Sequence, residues 1–135
     1  NRSKAVKKAQ KLYLWDWSMT EGTGPRFENM VASHLLKFCH YHEDSFGDKM
    51  QLCFLKDVEG GKEVDFVVLK NKKPLFAVEC NTGEAYLHPN LAFYQQRLKI
   101  LRLYQVHLGK KDFGHPEKGG RVIPFHKFCL EENLL

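Results

Sequence analysis

The segment GKEVDFVVLK at residues 61–70, followed by NKK at 71–73 and PLFAVECN at 74–81, decides the fold of this chain. Both long runs alternate along their length, are rich in β-branched and aromatic residues, and are separated by Asn and Lys. This pattern predicts a β-hairpin. If residues 71–73 form a three-residue loop, the register places Asp65 directly opposite Glu79 on the neighbouring strand.

In that register Asp65, Glu79, Glu63 and Asn81 project from one face, because side chains alternate with a period of two. Like charges placed opposite each other destabilise a hairpin, so Asp65→Ala is expected to relieve repulsion. Each carboxylate also interrupts an apolar run typical of central strands, where an unpaired charge is costly. A divalent cation, Mg²⁺ or Mn²⁺, is the simplest partner for the pair. A two-residue loop would instead turn Asp65 and Glu79 to opposite faces, as solvated edge charges.

The composition of the 135-residue chain predicts one domain. Residues 1–10 are expected to be a basic stretch without fixed structure, and residues 11–135 to form the folded domain. No apolar run reaches the ~20 residues of a membrane span. The isolated cysteines, without any CxxC spacing, predict buried thiols in a reducing, cytoplasmic compartment. A net charge of +5 favours contact with a polyanion such as nucleic acid.

The hydrophobic periodicity predicts a mixed sheet flanked by helices, in the α/β (α+β) class. Strands are predicted at residues 11–17, 51–56, 61–70, 74–81, 100–107 and 121–124, helices at 25–41, 90–99 and 125–132, and a Gly- and Lys-rich loop at 108–120. The order is β-α-β-β-β-α-β, followed by a short strand and a helix. Glu28 lies at the margin of the apolar stripe of the first helix. His40 and His42 are interpreted as a polar helix end, because nothing nearby completes a metal-ligand set.

The pattern of acidic residues resembles that of the PD-(D/E)XK nuclease superfamily, whose fold is restriction-endonuclease-like. In this pattern an acidic residue lies on a helix, an Asp on one strand and a Glu on the next strand. The segments KLYLWD at 11–16, FENMVA at 27–32, GKEVDFV at 61–67 and VIPF at 122–125 are more specifically similar to one nuclease-like family. That family is the domain at the C-terminus of many bacterial and archaeal P-loop ATPases of the AAA type. The resemblance implies that the chain is part of a longer polypeptide, with ATPase and winged-helix domains upstream as partners.

The resemblance further implies that Asp65 and Glu79 are metal ligands and that Glu28 is a helper ligand. The superfamily carries a Lys two residues after the Glu, but Asn81 stands at that position here. In active members the Lys positions the attacking water and stabilises developing charge, and loss of one such donor costs on the order of a hundredfold in rate. Asn81 is therefore the fourth candidate catalytic residue and the one that departs from the pattern.

Two functional hypotheses follow from this mixture of retained and lost residues. The first is an accessory module with weak or absent catalysis, which binds nucleic acid or regulates the attached ATPase. The alternative is an active Mg²⁺-dependent DNA endonuclease or exonuclease that hydrolyses phosphodiesters. In that case another cation replaces the motif Lys. Lys62 points to the opposite face in this register, so Arg97 and Lys99 on the second helix are the candidates. A fold alone does not distinguish the two hypotheses.

Overall fold

The computed structural model describes residues 5–8, 23–57, 62–81, 87 and 89–134. Within these residues seven strands form one mixed sheet, and three helices are present. The strands are β1 (Ala5–Lys8), β2 (Met50–Asp57), β3 (Lys62–Lys70), β4 (Lys73–Cys80), β5 (Arg102–His107), β6 (Phe113–His115) and β7 (Gly120–Pro124), and the helices are α1 (Thr23–Phe46), α2 (Pro89–Leu98) and α3 (Phe125–Glu131). The predicted fold class is confirmed. The strand predicted at residues 11–17 lies outside the described residues.

The strand order in the sheet is β1-β2-β3-β4-β5-β7-β6. Strands β1 to β4 are antiparallel to their neighbours, β4, β5 and β7 run parallel, and β6 returns antiparallel to β7. A parallel pair needs a crossover connection, which α2 supplies between β4 and β5. Strands β3, β4 and β5 are therefore central and covered on both faces, which explains their apolar runs.

The turn between β3 and β4 is shorter than predicted. It contains only Asn71 and Lys72, since Lys70 already pairs with Lys73. Asn71 and Lys72 have φ angles of 51° and 72°, and positive φ at both central positions is what a two-residue hairpin turn needs to match the twist of its strands. The expectation of a three-residue loop was therefore wrong.

A β-bulge in β4 nevertheless restores the predicted register. Leu75 is the extra residue, inserted between the positions at which Pro74 and Phe76 pair with consecutive residues of β3. Proline has no N–H to donate to a ladder, so an interruption beside it is favourable. Beyond the bulge Phe66 pairs with Val78, which is the pairing that a three-residue loop without a bulge would produce.

The sheet has a hydrophobic core on each face. On one face α1 and α3 pack onto the sheet, in a cluster that includes Phe27, Val31, Leu35, Phe66, Phe76, Val78, Tyr104 and Phe128. On the other face α2 packs onto the sheet, in a smaller cluster of Val67, Ala77, Leu91, Tyr94, Ile100 and Leu103. Consecutive residues of β3 and β4 therefore enter opposite clusters, as the period of two requires.

Two short edge strands were not predicted. β1 lies within the basic stretch expected to lack fixed structure, and it pairs with β2. β6 lies within the predicted Gly- and Lys-rich loop and pairs with β7. Gln95 of α2 fastens this loop, because its Nε2 donates to the Pro116 carbonyl over 3.1 Å and its Oε1 accepts the Gly119 N–H over 2.7 Å. Strands of three or four residues carry too little periodicity to be detected from sequence.

None of the helices in the described residues is both long and apolar enough to cross a membrane. All the cysteines are free thiols, and Cys39, Cys53 and Cys129 are buried. His40 and His42 lie in the last two turns of α1, which extends to Phe46 and so ends later than predicted.

Candidate acidic site

Asp65 and Glu79 lie where the β3–β4 ladder ends, next to the pair formed by Phe66 and Val78. The backbone N–H of Asp65 donates to Oε1 of Glu79 over 3.2 Å. The backbone N–H of Cys80 donates to Oδ2 of Asp65 over 2.7 Å. Side-chain oxygens therefore satisfy both of these backbone donors where the paired residues end. The structure thus brings the two carboxylates together, as the hairpin register predicts.

The strands on either side position this pair. The β2–β3 register shifts between Cys53 and Leu55, and the extra residue falls in β3 at the level of Asp65. Bulges bend a strand, re-aim its side chains and recur beside functional sites. On the other side β4 pairs in parallel with β5, which places the fully buried Gln105 next to Glu79. The sequence pattern gives no signal for this buried polar side chain beside the acidic pair.

Cys80 connects the acidic residues of the strands with that of the first helix. Burial raises the pKa of the Cys80 thiol well above its ordinary value, and the charges of Asp65, Glu28 and Glu79 and a hydrogen bond to Asp65 raise this pKa further. Glu28, in α1, therefore lies within electrostatic range of the same thiol as the two strand carboxylates. The thiol remains protonated at neutral pH. The sequence signal that this thiol lies near the acidic residues was its position directly after Glu79 at the end of a predicted strand.

Asn81, which stands two residues after Glu79, directly follows β4. Its backbone N–H donates to the carbonyl of Val106 over 3.0 Å, which extends the contact between β4 and β5 by one residue. The side chain of Asn81 is partly buried. An amide at this position offers a hydrogen bond but no positive charge.

Three basic residues were considered in the sequence as sources of positive charge at the acidic pair, and the structure places each of them differently. The Arg97 guanidinium lies over the ring of Phe93, 5.6 Å from its centroid. Lys99 lines a groove beside the turn end of the hairpin, and the strand from that end to Asp65 spans roughly 17 Å. Lys62 is the first residue of β3. The structure therefore does not bring Lys99 to the acidic pair, and it engages Arg97 with an aromatic ring.

The acidic residues fit a divalent cation only in part. Asp65 and Glu79 supply the oxygen donors that Mg²⁺ prefers. A carboxylate has several lone pairs, so an accepted N–H bond does not prevent metal coordination. Among the residues that the structure describes, however, no group of three or more His, Cys, Asp and Glu side chains is arranged to hold a metal ion. The expected set of Glu28, Asp65 and Glu79 is therefore not assembled as a preformed three-ligand site.

Comparison with known proteins identifies one family. Residues 23–128 match a family model described as "Domain of unknown function (DUF4143)". The matched range begins with α1 and ends within α3, so it includes Glu28, Asp65, Glu79 and Asn81. No curated protein and no solved structure matches the chain significantly.

Proposed function

We propose, on the premise that this chain belongs to the DUF4143 family, that it is a nuclease-like accessory domain of an AAA-type ATPase with weak or absent catalysis. The domain binds nucleic acid, with DNA as the expected target, or regulates the ATPase to which it is attached. The family occurs in AAA-ATPase-associated proteins. The order of helices and strands around the hairpin supports a core of the PD-(D/E)XK type, and the upstream ATPase and winged-helix domains are the implied partners.

The observation that carries this proposal is the structural use of both carboxylates. Asp65 accepts the N–H of Cys80, and Glu79 accepts the N–H of Asp65. These bonds satisfy backbone donors at a point where the ladder stops, and an unsatisfied buried donor costs about 1–3 kcal/mol. The acidic pair therefore has a reason to be retained even when no phosphodiester is hydrolysed.

Asn81 supports the same conclusion from the chemistry of the site. Phosphoryl transfer depends on positioning and on preorganised positive charge near the reacting oxygens. Asn81 carries no charge, and Arg97 and Lys99 are engaged elsewhere or distant. Loss of one such donor lowers a rate by about 10²–10³. Binding of DNA through basic side chains does not require that donor, and a net charge of +5 favours it.

The test compares cleavage and binding by the wild type, Asn81→Lys and Asn81→Gln on fluorescent DNA. The wild type is expected to bind DNA in EDTA, with an affinity that falls as salt rises, and to cleave it slowly or not at all in Mg²⁺. Asn81→Lys should raise Mg²⁺-dependent cleavage by at least about 100-fold, whereas the neutral Asn81→Gln should not. Fast cleavage by the wild type that is lost in Glu79→Gln would contradict the proposal.

The second candidate is an active Mg²⁺-dependent DNA nuclease with Asp65 and Glu79 as metal ligands and Glu28 as helper. The favouring observation is that all three carboxylates lie close enough to Cys80 to raise its pKa. A bound cation would supply Lewis-acid stabilisation of the phosphate and lower the pKa of a water. On this hypothesis the chain's own carboxylates hold and orient that cation, and Asn81 contributes only a hydrogen bond.

Metal binding is tested separately from cleavage by thermal unfolding with Mn²⁺ or Mg²⁺. For a Kd of about 1 mM, 10 mM metal should raise the Tm by about 3–6 °C, since a ligand that binds only the folded state stabilises it. The rise should disappear in the Asp65→Asn, Glu79→Gln double variant, which keeps the shape of both side chains. An unchanged rise in that variant would show that the ion binds elsewhere and would remove the support for this candidate.

A further inference from the structure

A groove lies at the turn end of the β3–β4 hairpin, away from the acidic site. Its volume is about 680 Å³, within the range of small-ligand and peptide-anchor pockets. The residues that line it include three lysines, Lys70, Lys73 and Lys99, and two leucines, Leu98 and Leu101. The groove therefore combines an apolar surface with a cationic rim, contributed by the hairpin, by the end of α2 and by the start of the segment leading to β5.

The hairpin side of this groove is held rigidly. The Asn71 N–H donates to the Lys49 carbonyl over 2.7 Å, and Oδ1 of Asn71 accepts the Lys49 N–H over 2.9 Å. Nδ2 of Asn71 also donates to Oδ1 of Asp48 over 3.3 Å. The turn is thus fastened to the segment before β2 by bonds in both directions. A surface that is already ordered loses less conformational entropy on binding.

The charges at the rim are only partly balanced. Lys70 forms an ion pair with Asp48 at 3.6 Å. Lys73 and Lys99 are exposed, and neither forms an ion pair within the part of the chain that the structure describes. Unbalanced lysines around a concave surface attract anionic groups and steer their approach. The expected occupant therefore carries negative charge on its polar side.

The apolar residues at the floor of the groove indicate which uncharged groups the bound molecule presents to it. Pro74 and Leu75, at the β-bulge, line it together with Leu98 and Leu101, and 51% of Leu101 is exposed. The described lining contains no aromatic residue. Single-stranded nucleic acid binds chiefly by stacking its bases on aromatic rings, which this surface does not offer. Aliphatic side chains bury their surface well against leucine and proline.

We propose that this groove docks an acidic peptide segment of a partner protein, with aliphatic side chains packed on the leucines and carboxylates paired with Lys73 and Lys99. The groove and the acidic pair lie at opposite ends of the hairpin, so this interaction is independent of nuclease chemistry. Acidic segments with aliphatic anchors are a recurring form of peptide recognition, in which apolar pockets give affinity and the charged rim gives specificity.

The test uses fluorescein-labelled peptides and the 135-residue chain in a polarisation assay at 50 mM salt. The peptide DELLDE is the probe, DESSDE removes its aliphatic anchors, and KKLLKK reverses its charge. DELLDE should bind saturably, and DESSDE should bind at least about tenfold more weakly, because burial of one leucine contributes that much or more. KKLLKK should not bind measurably. Equal binding of all three peptides would overturn the proposal.

Groove variants identify where the probe binds. The Lys73→Glu, Lys99→Glu double variant should weaken binding of DELLDE by about tenfold at this salt, and Leu101→Ser by several-fold. Lys37→Glu, Lys118→Glu changes the net charge by the same amount elsewhere and should leave the affinity within about twofold. Amide chemical shifts should change at residues 70–75 and 98–101. Equal effects of the two double variants would overturn the proposal, as would tighter binding of a ten-nucleotide thymidine strand at the groove.

Discussion

Glu132 forms a bidentate ion pair with Arg102. Nε of Arg102 donates to Oε2 of Glu132 over 2.6 Å, and Nη2 donates to Oε1 over 3.0 Å. The hydroxyl of Tyr104 donates to the same Oε2 over 2.5 Å. Glu132 directly follows α3, and its side chain is only 7% exposed. This single carboxylate therefore ties the end of α3 to two residues of β5, which lies in the centre of the sheet.

We expect Glu132→Gln to lower the free energy of unfolding by about 2–3 kcal/mol, because Arg102 is left without a counter-charge. This is less than the about 3–5 kcal/mol of a fully buried pair, since the Arg102 side chain is 25% exposed. Urea denaturation measures the change. The matched control is Glu131→Gln, whose carboxylate is 51% exposed and pairs with Arg121 at 3.4 Å; it should cost less than about 1 kcal/mol. Equal losses in the two variants would contradict the buried network.

Asp65→Ala is expected to destabilise the metal-free protein by about 1–2 kcal/mol, because the N–H of Cys80 loses its acceptor. The hairpin register alone predicts the opposite sign, through relief of repulsion between Asp65 and Glu79. Asp65→Asn keeps an acceptor oxygen in place and should lose less. Urea denaturation in EDTA distinguishes the two expectations, and a more stable Asp65→Ala protein would show that repulsion dominates.

Lys72→Gly is expected to raise the free energy of unfolding by about 0.5–1 kcal/mol. Lys72 has a φ of 72°, a conformation that strains residues with a Cβ atom and that glycine adopts freely. Asn71 already tolerates its own positive φ well, and Asn-Gly is the preferred pair for such a turn. Lys73→Gly, one residue later in β4, is the control and should destabilise the protein. Destabilisation by both variants would mean that the turn conformation is different.

Stability is expected to fall as the pH rises above about 9. Burial, aided by the charges of Glu43 and Cys53, raises the pKa of the Cys39 thiol from 9.0 to about 12. Burial raises the pKa of Cys129 from 9.0 to about 11. The unfolded chain therefore releases these protons first, and each thiol removes about 1.4 kcal/mol of stability per pH unit within its window. Below pH 9 both states hold the protons and the contribution is complete.

Urea denaturation between pH 8 and pH 11 measures this loss. In Cys39→Ala the free energy of unfolding should fall with pH less steeply than in the wild type, by about 1.4 kcal/mol per pH unit, which is the contribution of one proton. This difference in slope does not depend on the stability of the variant at pH 8, because the slope reports the number of protons released and not the packing. A slope that does not change in Cys39→Ala would show that its thiol is not shielded from water in the folded state.

Much of this architecture was predictable because long periodic segments determine it. The apolar spacing around Phe27 in α1 and the alternation around Phe66 in β3 were sufficient to predict a helix and a central strand. The loop length was not predictable, since a two-residue turn with a bulge and a three-residue turn without one require the same number of residues. The bond from Cys80 to Asp65 was not predictable either, because it depends on where the ladder stops, and that is a tertiary property.

The bulge at Leu75 has a consequence for how this hairpin can diverge among relatives. With a two-residue turn, the extra residue in β4 is what keeps Asp65 and Glu79 on one face. If β4 straightened without losing a residue, Asp65 would lie opposite Val78 and Glu79 would turn to the other face. Deletion of the bulged residue itself leaves every pairing beyond it unchanged, so a relative that lacks the residue at the position of Leu75 is expected to keep the acidic pair with one residue fewer between its Asp and its Glu.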